Sequence, residues 1–350
     1  MDIVLVPGFW LDGSSWEQVT PALERAGHRV HPLTLPGLES VDSSRSGIGL
    51  RDHIDAVVAL VDALDPGVVL VGHSGGGAIV HGVVDARPDR VSRVVYVDSG
   101  PLGDGGVIND QLPVDGDEIP LPDWDVFDAP DLRDLDPELR EQFRARAIPQ
   151  PRAVAQDQQR LSDERRFDVP ATVIACEFSR AELEQWISAG SPYMAELARV
   201  KDFEIVELPT GHWPQFTRPA ELAEAILAAV SKESAAPTEG SAVAATASAD
   251  SPRWESRAVI ATERPERWSK QLVSHLGRRA AIEETSEGRA LALSKGTGIV
   301  STGDGALTLI ARGSDEEHTA AVQDILQRHL LRFATREQLT IEWEPIAPID

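Results

Sequence analysis

Val68-Val69-Leu70-Val71-Gly72-His73-Ser74-Gly75-Gly76-Gly77 joins a short β-branched run to a glycine triplet, with a serine at the junction. Apolar residues without polar alternation read as a strand buried on both faces. The residues from Gly75 towards Asp85 read as a helix that begins at once. A serine between the two, in the pattern G-x-S-x-G, is held at a sharp turn that lifts its hydroxyl above the sheet. The glycines let strand and helix approach without Cβ clashes. The helix N-terminus beneath offers free N–H groups and a partial positive charge where an oxyanion would form. The bare pattern arises by chance in glycine-rich chains, so its strand–turn–helix setting is what gives it meaning. Ser74 is the candidate nucleophile.

Outward from this stretch the pattern repeats. Strands at 3–6, 28–33, 68–71 and 94–97 alternate with helices at 15–26, at 54–64 and from 75 onward. Such a βαβα rhythm makes a parallel sheet covered on both faces. It breaks between 100 and 170, a stretch rich in Asp, Gly and Pro whose clearest helix is at 137–147. That is too long for a simple crossover and reads as a lid, at about 100–169, inserted above the sheet. Order returns with strands at 172–176 and 204–208 and helices at 182–189 and 220–230. Residues 1–230 are thus an α/β catalytic domain. Residues 231–252 are small, polar and aperiodic, a flexible linker. Beyond it, a strand at 258–261, a helix at 265–276, strands at 280–284, 290–294, 298–301 and 306–311, a helix at 316–333 and a final strand at 339–343 make a small α+β domain over 253–350.

The chain has 350 residues, 42% of them hydrophobic, enough for a large core. Its formal net charge of −24 argues against nucleic acid and anionic membrane surfaces as partners. The lid shares this acidity between 104 and 141, which reads as a solvated face. The single cysteine, Cys176, leaves no internal disulfide and no cysteine-based zinc site. The opening Met-Asp-Ile-Val-Leu-Val-Pro-Gly reads as a strand, not a signal peptide, and no apolar run reaches the roughly 18 residues of a membrane span. A cytoplasmic protein is expected.

Residues 1–230 resemble a compact α/β-hydrolase of the carboxylesterase and hydroxynitrile-lyase type. Val6-Pro7-Gly8-Phe9-Trp10 stands where such proteins carry their first oxyanion loop. The resemblance implies two oxyanion donors, the backbone N–H groups of Gly75 and Phe9. Pro7 stands where many relatives have His, which leaves a backbone donor unaffected. The order implied for the triad is Ser, then Asp or Glu, then His. Leu208-Pro209-Thr210-Gly211-His212-Trp213-Pro214 follows the last expected strand, so His212 is the base that takes the serine proton. His28, His31, His53, His73 and His81 read as structural. Glu177, at the end of Thr172-Val173-Ile174-Ala175-Cys176-Glu177, is the preferred acid, and Asp98, one strand earlier, is its rival. Trp10, Trp124 and Trp213 are candidate pocket walls, with Phe127 beside them.

The second unit, from its Thr262–Leu272 and Phe333–Trp343 stretches, resembles a small family of uncharacterised domains that also occur alone or attached to siderophore-interacting proteins. That resemblance brings no activity. His275, His318 and His329 lack ligand spacing, and neither metal nor cofactor is expected. The expected function is hydrolysis of a small-molecule carboxylic ester through an acyl-enzyme. One alternative is a lyase on the same triad, which needs a cation over the substrate, whereas Lys201 is the only lysine before 231. Another is a small-molecule sensor with the C-terminal unit as transmitter. The oligomeric state stays open.

Overall fold

The computed structural model describes residues 1–188, 190–191, 193–232, 253–276, 280–293, 295–303, 305–333 and 339–349. The linker expected at 231–252 falls, from 233 on, outside these residues. The chain divides into two compact units, Met1–Leu183 with Met194–Gly240, and Glu184–Tyr193 with Ser241–Asp350.

In the first unit six strands form one parallel sheet: β1 (Asp2–Val6), β2 (Arg29–Pro32), β3 (Val68–His73), β4 (Val91–Val97), β5 (Ala171–Ala175) and β6 (Phe203–Glu207). Their spatial order is β2-β1-β3-β4-β5-β6, with Ile3 opposite Val69, Val71 opposite Val95 and Val95 opposite Thr172. Because β1 lies between β2 and β3, the order in which the chain adds strands reverses at the β1/β3 boundary, the kind of switch point beyond whose strand C-termini α/β sheets carry their sites. Alternate residues serve opposite faces. Ile3, Leu5, Val69, Val71, Val95 and Val97 pack on Trp16, Leu23, Leu222 and Ile226, all fully or almost fully buried. Each such aliphatic side chain stabilises the fold by about 1.5–3 kcal/mol. The helices Leu50–Ala63 and Gly75–Ala86 pack on each other, and the second of them also on the sheet.

The helix expected at 15–26 is broken. A 3-10 turn, Gly13–Trp16, precedes a short helix, Thr20–Arg25, whose first turn holds Pro21. Proline has no N–H to continue a helix but suits a first turn, so the chain restarts there. The lid carries a two-stranded ribbon (Glu118–Ile119 with Gln150–Pro151) and a helix, Pro137–Arg146. Asp136 caps that helix, its carboxylate accepting from Leu139 N at 2.9 Å, with Pro137 at the first helical position.

The second unit is β-rich: β7 (Arg253–Ala261), β8 (Ala281–Thr285), β9 (Gly288–Leu293), β10 (Gly296–Gly303), β11 (Ala306–Gly313) and β12 (Ala347–Ile349), in the order β8-β9-β10-β11-β7-β12 with antiparallel pairing throughout. The helices Pro265–Leu276 and Glu316–Phe333 supply Trp268, Leu272, Leu326 and Leu330 to a core with Ile260, Leu291, Val300, Leu307 and Leu309. The final strand expected at 339–343 is not one. Leu339, Ile341 and Trp343 do pack against this core, which accounts for their alternation, but only Trp343 makes a bridge, to Ala258. Pro345 then denies the ladder an N–H, and pairing with β7 resumes at Ala347–Ile349. No helix among the described residues is long and apolar enough to cross a membrane.

Candidate active site

The site is built at the C-terminal ends of β3, β4, β5 and β6. β3 stops at His73, and Ser74 takes φ 52° and ψ −123° before the helix Gly75–Ala86 begins. A non-glycine residue in that region stores about 1–3 kcal/mol of strain. The strain is held by three hydrogen bonds: Ser74 N donates to Val97 O at 3.1 Å, while Ser74 O accepts from Ser99 Oγ at 2.7 Å and Gly77 N at 2.9 Å. The turn leaves Ser74 Oγ 2.7 Å from His212 Nε2.

His212 follows β6. Its other nitrogen, Nδ1, lies 2.6 Å from Asp98 Oδ2 and 3.0 Å from Glu177 Oε1. Both carboxylates that compete in the sequence are therefore present on one imidazole nitrogen. Asp98 directly follows β4 with φ 44°, and its Oδ1 accepts from Cys176 N at 2.9 Å and Glu177 N at 3.1 Å. Burial opposes ionisation of Asp98, yet the His212 imidazole and these N–H groups outweigh it and hold its carboxyl below the usual range. For Glu177 burial and the neighbouring Asp98 charge win, and its carboxyl is pushed up to about 8. Burial alone would lower His212, but hydrogen bonds and charge from Asp98 and Glu177 raise it well above its ordinary value.

The loop after β1 lies beside the nucleophile. A Cβ on Gly75 would sit 2.6 Å from the Phe9 ring, so the two expected oxyanion donors belong to touching residues. Gly75 opens its helix, and its N–H has no intrahelical acceptor. Trp10 adopts φ 65°, and its backbone O accepts from Ile148 N at 3.0 Å while its indole N–H donates to Ile119 O at 3.0 Å, both in the lid. Trp10, Trp124 and Trp213 join Phe127 and Phe143 in one aromatic cluster, with ring centroids 5.2–6.0 Å apart. Trp213 also meets the His212 ring edge-to-face at 5.1 Å.

A model of the alpha/beta hydrolase family matches residues 3–225. The chain belongs to that family. Residues 257–344 match a family described as an uncharacterized protein conserved in bacteria. A pyrethroid hydrolase of Sphingobium wenxiniae is 27% identical over 249 residues, which are 64% of this chain and 86% of that protein. A carbendazim hydrolyzing esterase of Nocardioides is 37% identical over 101 residues, 28% of this chain and only 41% of that relative's length. An extracellular α/β-hydrolase from a Paenibacillus species, described as sharing structural and functional homology with tobacco salicylic acid binding protein 2, superposes with a TM-score of 0.52 at 20% identity, covering 65% of this chain and 98% of its own. That likeness is one of fold.

Within this α/β-hydrolase His53, His73 and His81 make structural contacts. His73 Nε2 donates to His212 O at 2.6 Å, and its Nδ1 faces the Gln215 amide at 3.3 Å. His81 is bonded to Tyr96 Oη at 2.8 Å and Glu196 Oε1 at 2.9 Å, and His53 Nε2 donates to Pro36 O at 2.9 Å. The lid's contribution was not legible: Gly211 N donates to Arg133 O at 3.0 Å and His212 N to Asp131 O at 2.8 Å. These are backbone contacts across the fold, and the glycine before His212 was their one trace in the sequence.

Proposed function

We propose that the α/β-hydrolase unit cleaves a carboxylic ester of a small molecule through an acyl-enzyme on Ser74. The observation that carries this reading is the chain from Ser74 Oγ to His212 Nε2, at 2.7 Å, and from His212 Nδ1 to Asp98 Oδ2, at 2.6 Å. As Ser74 Oγ adds to the ester carbonyl carbon, His212 takes its proton, and the N–H groups of Phe9 and Gly75 receive the oxyanion. The imidazolium then protonates the leaving alcohol. Water loses a proton to His212 and adds to the acyl carbon, and as the bond to Ser74 Oγ breaks the imidazolium returns that proton to Ser74 Oγ and the acid leaves. Asp98 holds the Nδ1–H tautomer throughout. Its place in this role, ahead of Glu177, is supported by the shorter contact and by the two backbone N–H groups that fix its carboxylate.

Ester chemistry is also supported by the esterase names of the relatives, and an apolar acyl or alcohol group by the aromatic cluster beside His212. The lyase reading loses ground because Lys201 is 71% exposed and paired with Asp168 at 2.5 Å. The test is labelling with a fluorophosphonate, then a panel of chromogenic esters of rising acyl length. Absence of both labelling and turnover across the whole panel would refute hydrolysis. We keep 1–230 as the catalytic domain, 231–252 as linker and 253–350 as a separate domain in this proposal.

A further inference from the structure

We infer that Glu177 is a second positioning carboxyl on the His212 imidazole, acting together with Asp98 and setting the pH range in which that imidazole is a free base. The inference rests on the proposed Ser74–His212 site and extends it. Two acids from successive strand ends, Asp98 after β4 and Glu177 after β5, converge on the same Nδ1 at 2.6 and 3.0 Å. Their side chains are only 6% and 4% exposed, and the three groups lie within 4.8 Å of one another. A surface carboxylate passing by would not be buried to this degree.

The two acids are not equivalent. Asp98 spends one oxygen on the N–H groups of Cys176 and Glu177 and the other on the imidazole, so the fixed negative charge sits there. The backbone of Glu177 thus supports Asp98 while its side chain reaches the same ring. The titratable groups facing Glu177 are Asp98 from the end of β4, His212 from the loop after β6, Asp131 from the lid and Cys176 next to it, with His73 behind His212. Of these only the His212 ring is drawn towards a cationic form. Two buried carboxylates this close are both charged only while the imidazole between them is protonated. The two acids together therefore hold the imidazolium to a higher pH than either alone would. A single-acid site would release its base earlier, at lower pH.

The test follows the His212 ring by nuclear magnetic resonance through a pH titration of the full chain, Glu177→Gln, Asp98→Asn and the double variant, beside pH profiles of kcat/KM on a small ester. In Glu177→Gln the imidazole midpoint and the ascending limb should both move to lower pH by about one unit or more, because one negative charge is gone. Asp98→Asn should retain turnover at least about tenfold above the double variant, as Glu177 still holds the tautomer. If Glu177→Gln fails to fold, Glu177→Met removes the same carboxyl and gives the same readout. An unmoved midpoint, or equal activity in Asp98→Asn and the double variant, overturns the inference. A chain that lacks Ser74-dependent turnover but shows the moved midpoint retires the esterase reading and leaves this one standing.

Discussion

The backbone N–H of His212 is bonded to the carbonyl of Asp131, 2.8 Å away in the lid. One residue earlier, Gly211 N donates to Arg133 O at 3.0 Å, and Thr210 Oγ1 donates to Asp134 Oδ2 at 3.1 Å. Three successive residues of the histidine loop are thus fastened to one lid turn, and Trp10 fastens the oxyanion loop to the lid's ribbon. This part of the lid is a frame for the imidazole. Holding a reacting group within a fraction of an ångström is worth far more in rate than the bonds themselves contribute to stability.

Gly211→Ala should therefore damage activity out of proportion to stability. A Cβ there would lie 2.4 Å from Arg133 O and 2.5 Å from Asp131 O, both backbone atoms that cannot swing away. We expect a destabilisation of about 1–3 kcal/mol, as for other overpacked sites, with kcat lowered by at least about tenfold as His212 shifts. Denaturant midpoints and steady-state kinetics check it. A variant with unchanged kcat would show that the lid turn does not position the base.

Ser74→Ala should abolish fluorophosphonate labelling and lower ester turnover by several orders of magnitude, leaving only what oxyanion donors and binding supply. The fold should survive, since the change removes one oxygen at a turn already held by three backbone-directed bonds. Mass spectrometry of the labelled protein locates the adduct, and an adduct that persists in the variant would move the nucleophile elsewhere.

Acid should unfold the chain through its buried histidines. Burial lowers His53 to about 4 and His73 to about 3, each bonded as a neutral ring to a backbone carbonyl. The unfolded chain protonates both near the ordinary value of about 6.5. Their stabilisation is complete above that pH and is lost as pH falls towards the folded values, at about 1.4 kcal/mol per pH unit for each proton. Urea midpoints between about pH 7 and pH 4 should fall accordingly. In His53→Gln the slope should lose one proton, and a slope that stays the same would remove His53 from the account.

The nucleophile turn, the sheet and the histidine loop were legible because each depends on local pattern: a β-branched run, a glycine triplet, a strand followed by Gly211-His212. The choice between Glu177 and Asp98 was not, because both stand at strand ends and only the register of β4 against β5 brings them to the same nitrogen. Sequence logic treats the two as exclusive, whereas the fold gives both to the ring. The break at Pro21 was legible in hindsight from proline chemistry alone. The misplaced last strand was not, since Leu339, Ile341 and Trp343 alternate as a strand does while packing against the core as an irregular segment.

A chain ending near Glu233 should fold and keep turnover on small esters close to that of the whole. All residues of the proposed site, from Phe9 to His212, and all six strands of the parallel sheet come before that point. The core of the first sheet is filled by its own helices: Leu222, Ala223 and Ile226 of Pro219–Val230 close it from the C-terminal side. The β-rich unit has a separate core built on Trp268, Leu272, Leu309 and Leu326, near the size at which an independent domain becomes marginal. Circular dichroism melting and kinetics on a short-chain ester test this together. A truncated protein that melts cooperatively yet cleaves none of the esters the full chain cleaves would show that the second unit is needed for the chemistry.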